Sequence, residues 1–153
     1  MTFTDAFGMK VTYGLGEAVD LNGCVSEVTF GAIHQISVVI DFDALGVPSI
    51  SDLTIRNAKI PAGSVVLDAY LAVANAAAQP GTTVNIGTVK LDGTAIDEDG
   101  LVAAEALSAG LKVGEGAVVD TAVAEDSYVK ITPSAATAEA LGGLKAKLII
   151  EYI

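Results

Sequence analysis

Residues 64–74 carry the pattern that most constrains how this chain can fold. Apolar side chains occupy every second position there, in the order Val65, Leu67, Ala69, Leu71 and Val73. Successive side chains of a β-strand point to opposite sides, so this period of two predicts a strand whose apolar face lies on a core. A helix would repeat its apolar residues every three to four positions, which this segment does not do.

Similar alternation recurs at residues 35–42 and 144–153, and shorter β-rich runs lie at residues 53–57, 83–89, 117–123 and 128–133. Turn signals separate these runs, and Gln79-Pro80-Gly81-Thr82 predicts a hairpin turn between two of them. The only helical candidates are residues 101–109 and residues 135–141, and the latter fit either a helical turn or a loop. This pattern predicts an all-β, antiparallel β-sandwich, with a jelly roll as the expected topology and at most one or two short helices.

The first part of the chain lacks a sustained period. Residues 1–24 are rich in glycine, and only residues 9–13 there suggest a short strand. We therefore expect an N-terminal arm or loop region over residues 1–24 and one β-sandwich domain over residues 25–153.

Composition excludes several classes of function. The net charge of −11 disfavours binding to nucleic-acid phosphates. The longest apolar runs fall far short of the roughly 18 residues of a membrane-spanning helix. The chain has one Cys and one His, which rules out an intrachain disulfide and most His-based metal sites. We expect no cofactor, no nucleic acid and no membrane among the partners.

The individual candidates for chemistry are weak. His34 precedes an apolar run and has no G-x-S-x-G nucleophile to activate, so a structural or edge role is expected. Cys24 has the acidic neighbours Asp20 and Glu27, which disfavour a reactive thiolate. Gly14-Leu15-Gly16 lacks the third glycine of a dinucleotide fingerprint. We predict no catalytic, cofactor-binding or metal-binding residue and no enzyme activity, although sequence alone leaves open a carboxylate pair for glycan hydrolysis.

Acidic residues are concentrated in one stretch, which has Lys112 as its one base. This segment forms an acidic surface that is solvated or meets a basic partner. The spacing in residues 92–99 is not that of an EF-hand, and whether this loop binds a cation stays open. The acids between positions 92 and 126 are Asp92, Asp97, Glu98, Asp99, Glu105, Glu115, Asp120, Glu125 and Asp126.

Three segments resemble a known protein family. They are residues 58–71, with the sequence AKIPAGSVVLDAYL, then Val84-Asn85-Ile86-Gly87, and residues 92–101, with the sequence DGTAIDEDGL. Together with the first ten residues, they resemble small structural proteins of tailed bacteriophages, of the capsid decoration or cement type. In that family an I-P-A-G-S/T-x-V turn opens a core strand, followed by an x-I-G-x strand and a D-G-T-x-I-D loop.

The resemblance implies a jelly-roll sandwich that forms trimers, binds the major capsid protein on the outer surface of the phage head and stabilises the shell, without enzyme activity or cofactor. In the arm, Phe3, Phe7, Met9 and Tyr13 are the side chains that a hydrophobic pocket on a capsid subunit would hold. The alternative is a head-fibre or tail-associated β-domain that binds a host surface glycan.

Overall fold

A computed structural model describes residues 2–4, 10–12, 25–41, 53–135 and 137–153. These residues form eleven β-strands and one short helix, and all strand pairings are antiparallel. The elements are β1 (Thr2–Thr4), β2 (Lys10–Thr12), β3 (Val25–Phe30), β4 (Ile33–Asp41), β5 (Leu53–Ile60), β6 (Val66–Asn75), β7 (Thr83–Val89), β8 (Ala95–Ala106), β9 (Gly110–Val113), β10 (Ser127–Pro133), α1 (Ala138–Leu141) and β11 (Lys145–Tyr152).

The strands build two sheets around one hydrophobic core. The seven-stranded sheet has the order β1-β2-β3-β4-β11-β6-β9, and the four-stranded sheet has the order β5-β10-β7-β8. Val38, Leu71 and Leu148 of the first sheet join Ile86 and Ile131 of the second in one cluster of buried side chains. The predicted all-β antiparallel sandwich is therefore confirmed.

Between β4 and β11 the chain changes sheet at every connection except the β7–β8 hairpin. The predicted hairpin at Gln79-Pro80-Gly81-Thr82 is wrong, because this turn carries the chain from β6 in one sheet to β7 in the other. Both edges of β6 are occupied, by β11 and by β9, so β7 has no edge of β6 to pair with.

The inward face of β6 matches the prediction over only part of its length. Ala69, Leu71 and Val73 are buried as expected, whereas Val65 and Leu67 are half-buried and Val66 is fully buried instead. Glu151 pairs with Asp68 and the next residue of β11, Tyr152, pairs with Val66. Leu67 is thus an extra residue in β6, and this β-bulge reverses the phase of the strand before it.

The last strand follows its prediction closely. Leu144, Ala146, Leu148 and Ile150 are all buried, and β11 lies between β4 and β6. A strand that is paired on both sides and apolar on one face fixes its register by burial.

Two further predictions in the second half of the chain are wrong. Residues 101–109 were expected to be helical, but Ala95–Ala106 is strand β8, with three register shifts against β7. Those shifts place the adjacent Leu101 and Val102 both in the core, a spacing that imitates a helix face. The strand expected at residues 117–123 is the other wrong prediction. These residues form turns, with an isolated bridge between Val65 and Ala122.

The helical turn at residues 135–141 is real but short. Helix α1 begins after Thr137, whose hydroxyl oxygen accepts a hydrogen bond from the Ala140 amide at 3.2 Å. This is the capping contact expected of threonine at a helix start. Among the described residues no helix is long and apolar enough to cross a membrane.

Part of the N-terminal region joins the seven-stranded sheet. Strand β2 lies within residues 9–13, pairs with β1, and contacts β3 through the pair Val11 and Val28. The boundary at residue 24 stays a prediction. Cys24 and the Gly14-Leu15-Gly16 segment lie outside the described residues.

Candidate interaction surfaces

The predicted capsid-anchoring arm is described only in part. Phe3 lies in β1, where its backbone pairs with Val11, while Phe7, Met9 and Tyr13 lie outside the described residues. The anchoring role of these four residues therefore stays a prediction.

The I-P-A-G turn links the two sheets. The Ser64 amide donates to the Pro61 carbonyl oxygen at 3.1 Å, and Gly63 between them has φ +84°, as the third position of a type II turn requires. Gly63 also donates to the carbonyl oxygen of Val123 at 2.8 Å, and Val123 donates to that of Ser64 at 2.9 Å. The motif therefore has a structural role, which is to hold residues 114–126 against the start of β6.

Asp126 secures the same turn. Its carboxylate accepts the Ala62 amide at 3.0 Å and lies 2.7 Å from the Lys59 ammonium. The hydrogen bond from Lys59, followed by that from Ala62, holds the pKa of Asp126 below its ordinary value. The same contact with Asp126 raises the pKa of Lys59. Both side chains are about half exposed, so this pair orients the turn without forming a reactive centre.

Residues 90–99, here called the acidic hairpin, form the tip between β7 and β8. The Lys90 amide donates to the Thr94 carbonyl oxygen at 2.8 Å, and Gly93 has φ +88°. The Asp92 carboxylate accepts the Thr94 amide at 2.9 Å, and hydrogen bonding to Thr94 lowers the pKa of Asp92. The structure thus makes the predicted loop 92–99 a tight turn followed by the start of β8.

No cluster of three or more His, Cys, Asp or Glu residues that could hold a metal ion occurs in the described part of the chain. The acidic hairpin instead exposes carboxylates on either side of two apolar side chains. Leu91 is 56% exposed and Ile96 is 39% exposed. A surface of this kind suits contact with a partner that is both apolar and basic.

His34 occupies the structural position expected for it. Its ring stacks on that of Tyr152, with centroids 5.0 Å apart and an angle of 11° between the planes. The two residues are cross-strand partners in β4 and β11. The stack packs the two rings against each other across the β4–β11 pair.

A cleft of about 190 Å³ lies beside the end of β7 and is lined by Thr88, Asp97, Thr121, Glu125 and Ser127 among others. The Thr121 hydroxyl donates to the Val118 backbone carbonyl oxygen at 2.7 Å. The Ser127 hydroxyl donates to the Glu125 backbone carbonyl oxygen at 2.9 Å. Glu125 itself is ion-paired with Lys90 at 3.2 Å. These contacts give the Thr121 hydroxyl, the Ser127 hydroxyl and the Glu125 carboxylate structural roles.

The outer face of the seven-stranded sheet, on the side of β4, β11, β6 and β9 away from the core, carries exposed apolar side chains. One cross-strand row runs Val39, Lys147, Ala72, Leu111. Val39 is 40% exposed and Leu111 is 63% exposed. In the next row Ile149 and Tyr70 lead to Val113, which is 50% exposed.

A groove runs along this face, and we call it the outer groove. It has a volume of about 370 Å³ and exists because the residues on its floor are small. Its lining includes Val39, Ala72, Ala74, Gly110, Lys145 and Lys147. Lys145 lies 3.6 Å from Asp41, whereas Lys147 makes no ion pair within the described residues.

Sequence reasoning missed this surface. The strand that completes it, β9, was not predicted, although Gly110-Leu111-Lys112-Val113 alternates apolar and other residues. Four residues are too few for a convincing period, and the short strand forms because β6 offers it an edge.

No family model and no curated protein matches this chain. Two solved structures share its fold. A chain in the capsid of Ralstonia phage GP4 is similar with a TM-score of 0.53 and 17% identity, over 82% of this chain and 86% of that one. A chain in the cyanophage Pam1 capsid asymmetric unit is similar with a TM-score of 0.54 and 16% identity, over 92% of this chain and 91% of that one.

Proposed function

We propose that this protein is a structural component of a bacteriophage virion, of the capsid decoration type. The observation that carries the proposal is the likeness of nearly the whole fold to chains in two phage capsid structures. The sequence resemblance of residues 58–71 and 92–101 to decoration proteins points independently to the same class. The fold contributes a scaffold, and the function belongs to its surfaces.

The strand order supports a jelly roll as the topology. The eight strands β4 to β11 form two layers, β4-β11-β6-β9 and β5-β10-β7-β8, with the chain crossing between them. An eight-stranded, double-sheet arrangement of this kind is typical of jelly rolls, which are common in viral capsid domains. Strands β3, β2 and β1 extend the first layer.

We place the protein on the outer surface of the head, bound to the major capsid protein, as a homotrimer without enzyme activity. Each contact that forms only on the assembled shell stabilises that shell by mass action. Three linked subunits convert weak individual contacts into avidity.

Phe3, Phe7, Met9 and Tyr13 are our proposed anchors on the capsid. Removal of residues 1–16 is expected to weaken binding to the shell while the trimer persists. Unchanged binding of the shortened protein would show that the anchors lie elsewhere.

The test of the proposed function is binding to expanded phage heads that lack a decoration protein. We expect the purified protein to sediment with such heads, to saturate at a fixed ratio to the major capsid protein, and to raise the temperature at which the shell breaks. The shortened protein lacking residues 1–16 serves as the matched control. A protein that stays in the supernatant over the whole concentration range would contradict the proposal.

The alternative of a glycan-binding head-fibre or tail domain finds less support. Sugar recognition usually uses exposed aromatic rings, and the large apolar residues found exposed are aliphatic among those whose side chains the structure describes. They are Ile33, Val39, Leu91, Ile96, Leu111, Val113 and Ile153.

A further inference from the structure

We propose that the outer groove of one copy of this chain receives the acidic hairpin of a second copy. The inference rests on the proposed self-association and names the two surfaces that produce it. One surface is apolar and carries the exposed Lys147 cation, and the other is apolar and carries exposed carboxylates.

The groove side offers both shape and apolar area. Val39 and Leu111 stand at the two margins of one cross-strand row, with the small Ala72 between them. The groove is about 370 Å³, and Leu111 and Val113 at its edge strand are 63% and 50% exposed. Contiguous exposed apolar surface of this kind marks an interaction site.

The groove carries an exposed cation, Lys147. Lys59, Lys90 and Lys145 each lie in an ion pair with an acid of the same chain. Lys147, at the centre of the row, has no such partner within the described residues. On a chain of net charge −11, an exposed cation that no described acid neutralises is suited to an acidic partner.

The acidic hairpin supplies the complementary features. Leu91 and Ile96 are exposed apolar side chains, and the Asp92, Glu98 and Asp99 side chains beside them are exposed as well. Hydrogen bonds within the Lys90–Thr94 turn hold its shape, so little flexibility is lost on docking. A partner of this composition is present in every other copy of the chain, which is why we choose a second copy as the occupant.

One molecule cannot bring its own two surfaces together. The groove lies on the seven-stranded sheet beside Ala74, near the end of β6, whereas the hairpin follows the far end of β7 in the other sheet. The seven residues of β7, Thr83–Val89, lie between the turn that follows β6 and the hairpin. The contact is therefore between unlike surfaces of two copies, and repeated head to tail it gives a closed ring where the rotation between copies permits; the trimer of the proposed function is such a ring.

A charge exchange tests the contact. Lys147→Glu and Glu98→Lys should each weaken trimer formation in sedimentation velocity by about tenfold or more, and the weakening should diminish at high salt. The double variant restores the opposite charges, so its association should return to within roughly threefold of the unaltered protein. Glu115→Lys makes the same charge change at an exposed position outside the hairpin and serves as the matched control.

Leu111→Ser adds a test that does not depend on charge, and it should weaken the trimer at any salt concentration. Circular dichroism of each variant checks that the sandwich still folds. A trimer that is unaffected by the single variants, or not restored in the double variant, would overturn the proposed contact. A monomeric protein at all concentrations would overturn it too, while sedimentation with phage heads would separately decide whether the decoration function survives.

Discussion

Two regions of the sandwich are stabilised in different ways. Around β11, buried side chains form the contacts. Val38, Leu148 and Leu71 form one fully buried cross-strand row. The row is regular because all eight residues of β11 pair with β4 without a break in register. In the other region, where β8 meets residues 114–126, the main chain forms the contacts. There the Val118 amide donates to the Gly100 carbonyl oxygen at 2.8 Å and the Gly114 amide to that of Ala69 at 2.6 Å.

Glycine makes the second region possible. A Cβ atom added to Gly116 would collide with the backbone of Gly100 and of Asp99, and one added to Gly114 would collide with the carbonyl of Leu101. Backbone atoms cannot move aside as the end of a flexible side chain can. The β11 region should therefore tolerate changes of side-chain shape, while the β8 region should tolerate no added side chain at these glycines.

The largest effect is expected from a cavity in the β11 region. Leu148 is fully buried, so Leu148→Ala should lower the free energy of unfolding by about 3 kcal/mol. Leu148→Met preserves the volume and should cost less than about 1.5 kcal/mol. Chemical denaturation of both variants checks this prediction, and equal losses for Ala and Met would show that shape matters more here than we infer.

Added volume in the β8 region should cost somewhat less. Gly116→Ala is expected to lower the free energy of unfolding by about 2 kcal/mol, because the backbone must shift to admit the methyl group. Gly63 is the matched control, since its φ is +84° and a Cβ there would have open space around it. Gly63→Ala should cost about 1 kcal/mol for conformational reasons alone.

Asparagine substitutions distinguish the two causes of lost stability, which are crowding at Gly116 and the positive φ at Gly63. It tolerates a positive φ better than alanine does, so Gly63→Asn should be less damaging than Gly63→Ala. It is larger than alanine, so Gly116→Asn should be more damaging than Gly116→Ala. The same order of Ala and Asn at both positions would contradict the distinction between crowding and conformation.

The sequence predicts the β11 region well because alternating side chains form the contacts there. Regular alternation in residues 35–42 and 144–153 became β4 and β11 with the expected faces, because an unbroken register preserves the period of two. The signals for β5, β7 and β10 were also correct. Burial of alternate side chains is a local property that a sequence displays.

The β8 region could not be predicted in this way. Three register shifts in β8 and the bulge at Leu67 in β6 break the period, so Leu101 and Val102 suggested a helix and Val65 was placed on the wrong face. The outer groove depends on the pairing of β9 with β6 and on the size of Ala72 and Ala74. These are relations between distant segments, which alternation within one segment does not reveal.

A smaller effect, and of the opposite sign, is expected in β7, beside the β8 region. The Thr88 hydroxyl is fully buried and has no hydrogen-bond partner in the described structure. An unsatisfied buried hydroxyl destabilises a fold, so Thr88→Val should raise the free energy of unfolding by about 1 kcal/mol. Thr88→Ser keeps the hydroxyl and removes a methyl group, and it should be destabilising. A loss of stability in Thr88→Val would instead indicate that a water molecule satisfies the hydroxyl.

The smallest effect concerns charge in the β8 region, at the Asp126 carboxylate that holds the I-P-A-G turn. Contacts with Lys59 and the Ala62 amide lower the pKa of this carboxyl in the folded state. Its stabilising contribution is therefore present above the pKa of the unfolded chain and is lost as the pH falls through the folded-state pKa. Because the pair is exposed, water and salt screen it, and the effect should be small.

Asp126→Asn should melt at a slightly lower temperature than the unaltered protein at neutral pH, and the two melting temperatures should converge in acid. Glu115→Gln, which changes an exposed acid outside this contact, should show no such convergence. An offset between Asp126→Asn and the unaltered protein that persists at the lowest pH would show that the charge of Asp126 is not what holds the turn.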